Sequence, residues 1–90
     1  MNEVRDNAAA SRFELAIDGH TAFAIYRASP GRITITHTEV PRELRGHGFG
    51  SALVRGSLEL ARTQRVKVVS RCPFVSAYLG KHPEFDDLLA

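Results

Sequence analysis

The chain has 90 residues, of which 43% are apolar and 24% charged, and both values are typical of one soluble globular domain. Twelve basic residues stand against ten acidic ones, and a formal net charge of +2 is too small to indicate a nucleic-acid-binding protein. Cys72 is the only cysteine, which excludes an internal disulfide and a cysteine-based metal cluster. No apolar segment is long enough for a signal sequence or a membrane span, so we expect a cytoplasmic protein.

The first elements in chain order are an arm and a hairpin. Residues 1–11 show no periodic pattern and predict a flexible N-terminal arm, which leaves residues 12–90 as the single domain. Apolar residues alternate with others over 12–17, and β-branched and aromatic residues are frequent over 21–27. Asp18-Gly19 between them is a strong turn signal, so the two segments predict a β-hairpin.

The clearest strand follows over residues 32–40, with the sequence RITITHTEV. Strict alternation places Ile33, Ile35, His37 and Glu39 on one face, and the three threonines and the valine on the other. We therefore expect His37 and Glu39 to lie on the same side of the sheet as the two isoleucines.

The second half of the chain contains a strand-helix-strand unit. Apolar residues at helical spacing predict a helix over 49–64, and the short β-branched segment 66–71 predicts the next strand. A second helix is predicted over 74–80, and Phe85 is expected in a last short strand or as a plug in a loop. The order β-β-β-α-β-α predicts an α/β fold with one mixed sheet, in which the crossover helix joins two parallel strands.

A glycine-rich turn precedes the long helix, with glycines at the alternate positions 46, 48 and 50. Residues without side chains let a ligand approach the backbone, and the unpaired N–H groups of a helix N-terminus attract anions. Arg42, Arg45 and His47 add positive charge around this turn. The pattern therefore indicates a phosphate-binding site.

The spacing within the turn restricts which phosphate ligand it binds. A Walker A loop requires a lysine before its Ser or Thr, whereas here Gly50 precedes Ser51. The dinucleotide pattern G-x-G-x-x-G fails as well, because the position three residues after Gly48 is Ser51. The pattern R-x-x-G-x-G does fit, with Arg45, Gly48 and Gly50.

This pattern resembles motif A of the GCN5-related N-acetyltransferase (GNAT) superfamily. The chain is most similar to the miniature stand-alone members of that superfamily, which have about this length and carry a proposed catalytic cysteine. The resemblance extends over most of the chain from Phe13 to Phe85, with four segments in the right order and spacing. These segments are His37–Pro41, Arg45–Gly48, Cys72–Val75 and Lys81–Phe85.

The resemblance implies a small GNAT-like fold that binds acetyl-CoA or another acyl-CoA as cosubstrate, without a metal. In this family the turn amides hold the coenzyme pyrophosphate, and the chain splays apart after the third strand to admit the pantetheine arm. Pro41 agrees with such a break. Val40 would offer backbone hydrogen bonds to pantetheine, and Tyr78 would pack or touch the coenzyme. The implied pyrophosphate cradle consists of Arg45, Gly46, His47, Gly48, Phe49, Gly50 and Ser51, with Arg42 beside it.

Three residues are candidates for catalysis. The resemblance implies a role for Cys72, whose thiolate could accept an acetyl group or act on the acceptor. In larger members an acidic residue on the third strand is the general base, which implies this role for Glu39, with His37 beside it. The tyrosine that protonates the leaving thiolate in many members is displaced, because its usual position falls on Gly80 and not on Tyr78.

Several functions remain open from the sequence. The first is an N-acetyltransferase acting on an amine of a protein or small molecule, and the second is a non-catalytic acyl-CoA-binding module. The segment 13–40 has no room for the helices that build the acceptor pocket in larger members, so a protein partner could complete the site. A nucleic-acid-binding domain is a weaker third hypothesis, because no aromatic stacking platform accompanies the basic residues. The arginines considered for it are Arg42, Arg45, Arg55, Arg62 and Arg65.

Overall fold

The computed structural model of the chain describes residues 3–90, and in these the strands follow one another across the sheet in the order of the sequence. The strands are β1 (Val4–Asn7), β2 (Arg12–Ile17), β3 (His20–Ser29), β4 (Arg32–Glu39) and β5 (Lys67–Ser70). The helices are α1 (Phe49–Gln64) and α2 (Pro73–Lys81), with short 3-10 helices at Ala8–Ala10, Arg42–Leu44 and Pro83–Leu88. The predicted mixed α/β sheet is confirmed.

The hairpin of β2 and β3 forms where the sequence predicts it. Asp18 and Gly19 adopt φ values of 49° and 80°, and a two-residue turn requires these left-handed conformations to match the twist of the strands. The strands then pair antiparallel from Ile17 opposite His20 to Arg12 opposite Ile25. The alternating apolar side chains of both strands face the helices.

The N-terminal segment differs from the predicted arm. Val4–Asn7 pairs antiparallel with β2, and Ala8–Ala10 forms a 3-10 helix. This strand has a single apolar residue, Val4, which lies against α1 at Gly56, where any Cβ would overlap the valine side chain. Tertiary contacts that a local pattern cannot show therefore add this strand to the sheet.

The alternation of β4 is interrupted by a bulge. Ile35 lies opposite Tyr26 and His37 lies opposite Ile25, so no residue of β3 lies opposite Thr36, whose hydroxyl donates to the Ile25 carbonyl. An extra residue in one strand reverses the side to which the following side chains point. His37 and Glu39 consequently lie on the other face from Ile35, and the prediction that they share its face is wrong.

The parallel pair of β4 and β5 is short. Their register covers Arg32–Ile35 against Lys67–Ser70, and Arg71 N–H adds one bond to the Ile35 carbonyl at 2.8 Å. The chain then leaves the sheet to begin α2 at Pro73, whereas β4 continues to Glu39. We call the resulting gap between residues 36–40 and residues 72–74 the notch.

Both helices cover the same face of the sheet. Their apolar residues join those of β2–β5 in one core, and Phe85 from the last 3-10 helix is buried in it as a plug. The opposite face, which we call the open face, consists of the side chains that alternate with the core residues; at its centre are the partly exposed Phe23, Ile25, Thr34 and Val69. Within residues 3–90 no helix is both long and apolar enough to cross a bilayer.

Candidate active site

The glycine turn leads directly into the N-terminus of α1. Gly46 and Gly48 have φ values of 84° and 78°, and a side chain in this conformation is strained even though no atom lies within 4 Å of either Cβ position. Gly48 is the N-cap of α1, and its carbonyl accepts the N–H of Ala52 at 3.1 Å. The N–H groups before Ala52 have no partner within the helix, so they are free to bind an anion.

The backbone at Gly50 lies close to α2. A Cβ there would lie 3.0 Å from the Phe74 ring and 3.5 Å from a methyl group of Val40. Phe74 itself is 46% exposed although it is aromatic. The glycine thus lets the end of β4, the start of α1 and the start of α2 converge at one point.

A groove of about 340 Å³ occupies this point. It contains most of the predicted cofactor-binding residues, together with Leu44 and Phe74, which the sequence analysis missed as site residues. Its lining consists of Val40, Leu44, Arg45, Gly46, Gly48, Phe49, Gly50, Ser51 and Phe74. The sequence signal available for Phe74 was its place in the family segment Cys72–Val75, directly after Cys72-Pro73.

The charges around the groove favour an anion. No acidic residue lies in the first turn of α1, and the exposed Arg42 and Arg45 have no carboxylate within 4 Å among residues 3–90. Arg45 instead donates its Nε–H to the backbone carbonyl of Val40 at 3.0 Å. The ring of His47 lies on the exposed turn, 5.9 Å from the ring of Phe49.

Cys72 lies at the core side of the notch as the N-cap of α2. The residue is 5% exposed, and its sulfur lies 3.6 Å from the hydroxyl of Thr38, a contact that the bulge in β4 makes possible. Burial raises the pKa of this thiol, but hydrogen bonds from the Val75 N–H, the Thr38 hydroxyl and the Phe74 N–H outweigh it, so the pKa is lowered. The thiol is therefore deprotonated at a lower pH than that of an ordinary cysteine.

His37 and Glu39 lie on the open side of the same strand. His37 Nε2 is 2.8 Å from Glu39 Oε1, and both side chains are about half exposed. The structure thus brings the two predicted residues together, but β4 separates them from Cys72. Sequence alternation missed Thr38 as the partner of Cys72 because it could not place the bulge.

Tyr78 lies away from the glycine turn. Its ring is buried, stacks on His82 at 4.0 Å and lies 6.3 Å from Phe85. The tyrosine raises the pKa of Arg55 on α1, and the Arg55 guanidinium lies 5.3 Å from the same Phe85 ring. Tyr78 borders a smaller pocket of about 140 Å³, which adjoins the groove through Ser51 and Phe74.

The remaining cavities and basic residues lie elsewhere. A second groove, about 470 Å³ between β1 and α1, contains none of the predicted site residues except Arg55 from the nucleic-acid hypothesis. That arginine binds Glu84 at 3.0 Å, and Arg62 binds Asp87 at 2.7 Å, so acidic partners compensate both. Within residues 3–90 no three histidine, cysteine, aspartate or glutamate side chains are grouped as metal ligands.

Comparison with known proteins agrees with this geometry. The family model described as GCN5-related N-acetyl-transferase matches residues 12–88. The fold is similar to the solution NMR structure of a GCN5-like candidate N-acetyltransferase from Staphylococcus aureus, with a TM-score of 0.73 and 28% sequence identity. That similarity covers 98% of this chain and 87% of the other. No curated protein matches the sequence.

The resemblance inferred from the four sequence segments is thereby confirmed, since the family model covers most of the chain. The same comparisons confirm the fold class, in which β4, α1 and β5 form the parallel crossover unit. The protein belongs to the GCN5-related N-acetyltransferase family, and it is an acetyltransferase of that family.

Proposed function

We propose that the protein transfers the acetyl group of acetyl-CoA to an amine. One observation carries this proposal: the groove at the N-terminus of α1 borders the notch through Val40 and Phe74, and candidate proton-transfer groups lie on both sides of the notch. Cys72 and Thr38 lie on its core side, and the pair of His37 and Glu39 lies on its open side.

The turn suits the coenzyme pyrophosphate. The absence of side chains at Gly46 and Gly48 leaves room for two phosphate groups against the backbone, and the free N–H groups of α1 point outward there. Arg42, Arg45 and His47 would add positive charge. A substitution that places a carboxylate on this turn should therefore abolish binding.

The notch suits the pantetheine arm. Residues 36–40 are not paired with β5, so this edge of β4 offers backbone groups to an extended ligand, although the Thr38 N–H already contributes a hydrogen bond to the Cys72 thiol. The Val40 carbonyl is bound by Arg45 at 3.0 Å. Arg45 would have to release it on coenzyme binding, and the freed guanidinium could then turn to the phosphates.

The bound thioester supplies an activated carbonyl carbon. The amine nitrogen bonds to this carbon while the C–S bond breaks. One amine proton leaves, and the coenzyme departs as a thiol. Alkyl amines are mostly protonated at neutral pH, so a base must first make the nitrogen lone pair available. The pair of His37 and Glu39 supports this role, since its carboxylate is half exposed on the side from which an acceptor can approach.

Cys72 would act from the opposite side. Its thiol faces the notch beside Thr38 and has a lowered pKa, which suits a group that returns a proton to the departing sulfur. The cysteine regains its proton from solvent after each turnover. Acetylation of the Cys72 sulfur during turnover, detectable by mass spectrometry of the quenched protein, would contradict this assignment.

Calorimetric titration with CoA and acetyl-CoA tests the binding step. We expect the wild type to bind both and Gly48→Glu to bind neither, because the carboxylate would face the phosphates. Gly31→Glu is the matched control, since Gly31 also has a positive φ (71°) and an open Cβ position but lies in the turn between β3 and β4. Absence of binding by the folded wild type at millimolar coenzyme would refute the proposal.

A non-catalytic acyl-CoA-binding module is the second candidate. It is favoured by the position of Tyr78, which is buried and is not among the residues that line the groove beside the notch. Mass spectrometry of an amine panel incubated with acetyl-CoA discriminates the two functions. Coenzyme binding without any acetylated product would favour the module.

A further inference from the structure

The open face has an uneven charge distribution. Strand pairing and the alternation of side chains assign to this face six of the twelve basic residues. They assign to it only two of the ten acidic residues, Glu14 and Glu39. The basic residues are Arg5, Arg12, Arg27, Arg32 and Arg71, together with Lys67 at the β5 edge, whose ammonium donates to the Asp87 carbonyl at 2.6 Å. The rest of the surface is therefore acidic on balance, although the whole chain carries only +2.

Both acids of the open face are already bound. Glu14 accepts hydrogen bonds from Arg12 at 2.6 Å and from Asn7 at 3.0 Å, and Glu39 is paired with His37. The other four arginines of this face have no carboxylate within 4 Å among residues 3–90. Their charge is available to an acidic partner.

Two of these arginines lie on either side of β4 at a similar distance from Glu39. Phe23 on β3 lies opposite Glu39, and Arg27 lies four residues further along β3. Four strand residues span about 13 Å. Arg71 follows β5 and bonds through its N–H to Ile35, four residues before Glu39. An extended chain advances about 3.3 Å per residue, so a segment with its amine at Glu39 would bring residues about four positions away to Arg27 and Arg71.

The face suits a polypeptide better than a nucleic acid. Phe23 is its one aromatic side chain apart from the histidine ring, and the Arg12 guanidinium already covers that phenyl ring at 4.4 Å. The carboxylates of Glu14 and Glu39 on the same surface would repel a phosphate backbone. A peptide with separate acidic side chains can meet the arginines and avoid both glutamates.

We propose that the open face binds an acidic polypeptide acceptor, whose amine lies at His37 and Glu39 and whose carboxylates, about four residues away, lie at Arg27 and Arg71. This inference rests on the proposed acetyl transfer and specifies the class of acceptor. It also accounts for a sheet face on which neither helix of the described chain packs.

The test uses two blocked ten-residue peptides that each contain one lysine. One carries glutamates four and five residues from the lysine, and the other carries glutamines there. At low ionic strength we expect kcat/KM for the acidic peptide to be roughly tenfold higher, as two exposed ion pairs would provide. The preference should vanish in Arg27→Glu/Arg71→Glu and persist in the control Arg65→Glu at the C-cap of α1.

The double variant should also prefer a third peptide, with arginines in place of the glutamates, while its acetylation of a small neutral amine stays unchanged. Equal rates for the acidic and neutral peptides in the wild type would overturn the docking inference and leave the proposed transfer intact. If no amine is acetylated although the coenzyme binds, the transfer fails, and fluorescence anisotropy of the labelled acidic peptide tests docking by itself. A single-stranded oligonucleotide that displaces this peptide through the same arginines would overturn the peptide assignment.

Discussion

The two faces of the sheet are made by the same strands but differ in every property that matters here. The covered face contains the buried apolar side chains of β2–β4, and Thr38 on it contacts Cys72. The open face carries partly exposed residues, free arginines and the pair of His37 and Glu39. The comparison indicates that the side chains which stabilise the fold and the Cys72 thiol lie on the covered side of β4. The proposed acceptor-binding residues and the proposed base lie on its open side.

The largest expected effect compares two phenylalanines. Phe13 is fully buried with its ring 4.8 Å from that of Tyr26, so Phe13→Ala should lower the free energy of unfolding by about 3–5 kcal/mol. Phe23→Ala on the open face should cost only about 1 kcal/mol, because this side chain is partly exposed and loses one cation–π contact. Urea denaturation of both variants measures the contrast, and equal losses would show that the open face is as stabilising as the covered one.

The base assignment predicts the next largest effect. Glu39→Gln should lower kcat about 100-fold, since the amide cannot take up a proton. Glu43→Gln is the control, because it removes an exposed carboxylate of the nearby 3-10 helix that is paired with His20 at 3.8 Å. Steady-state kinetics measures both, and full activity of Glu39→Gln together with loss in Cys72→Ala would move the proton transfer to the covered side.

The raised pKa of Tyr26 on the covered face predicts how the free energy of unfolding changes at alkaline pH. Burial, and then the hydrogen bond to Asp6 at 2.6 Å, raises its pKa from about 10 to about 12. Because the phenol stays neutral to a higher pH in the folded state than in the unfolded state, its contribution to the free energy of unfolding is complete below pH 10. This contribution, on the order of 2 kcal/mol, is lost as the pH rises through 12. Denaturation curves between these pH values should show this slope in the wild type and lack it in Tyr26→Phe, which would cost about 1 kcal/mol at neutral pH.

The smallest effect separates the two sides of β4 directly. Removal of the Thr38 hydroxyl in Thr38→Val should raise the pKa of the Cys72 thiol, because one hydrogen bond to the thiolate is lost. Thr38→Ser should restore the wild-type titration, and His37→Ala should leave it unchanged since that ring lies on the open side. The pH dependence of iodoacetamide alkylation reports the thiolate, and a shift caused by His37→Ala would contradict the separation of the two sides.

Local sequence patterns were sufficient to predict most of the strands and helices. The alternation over 12–17, the Asp18-Gly19 turn and the helical spacing over 49–64 correspond to β2, the hairpin turn and α1. Most residues of the predicted cradle line one groove, because a turn at a helix N-terminus is built from consecutive residues, while their role in binding stays a prediction. The contacts of Val4, Thr38 and Tyr78 could not be predicted in this way, since each depends on a residue distant in sequence.

The sequence by itself therefore determined the order of strands and helices from β2 onward and the glycine turn before α1, for which phosphate binding is our proposal. These features depend on local propensity and on glycine's access to positive φ. Only the tertiary structure decided on which side of β4 each candidate residue lies. The reason is physical: a bulge is defined by pairing with a second strand, and one unpaired residue, Thr36, reverses the direction of every side chain that follows it on β4.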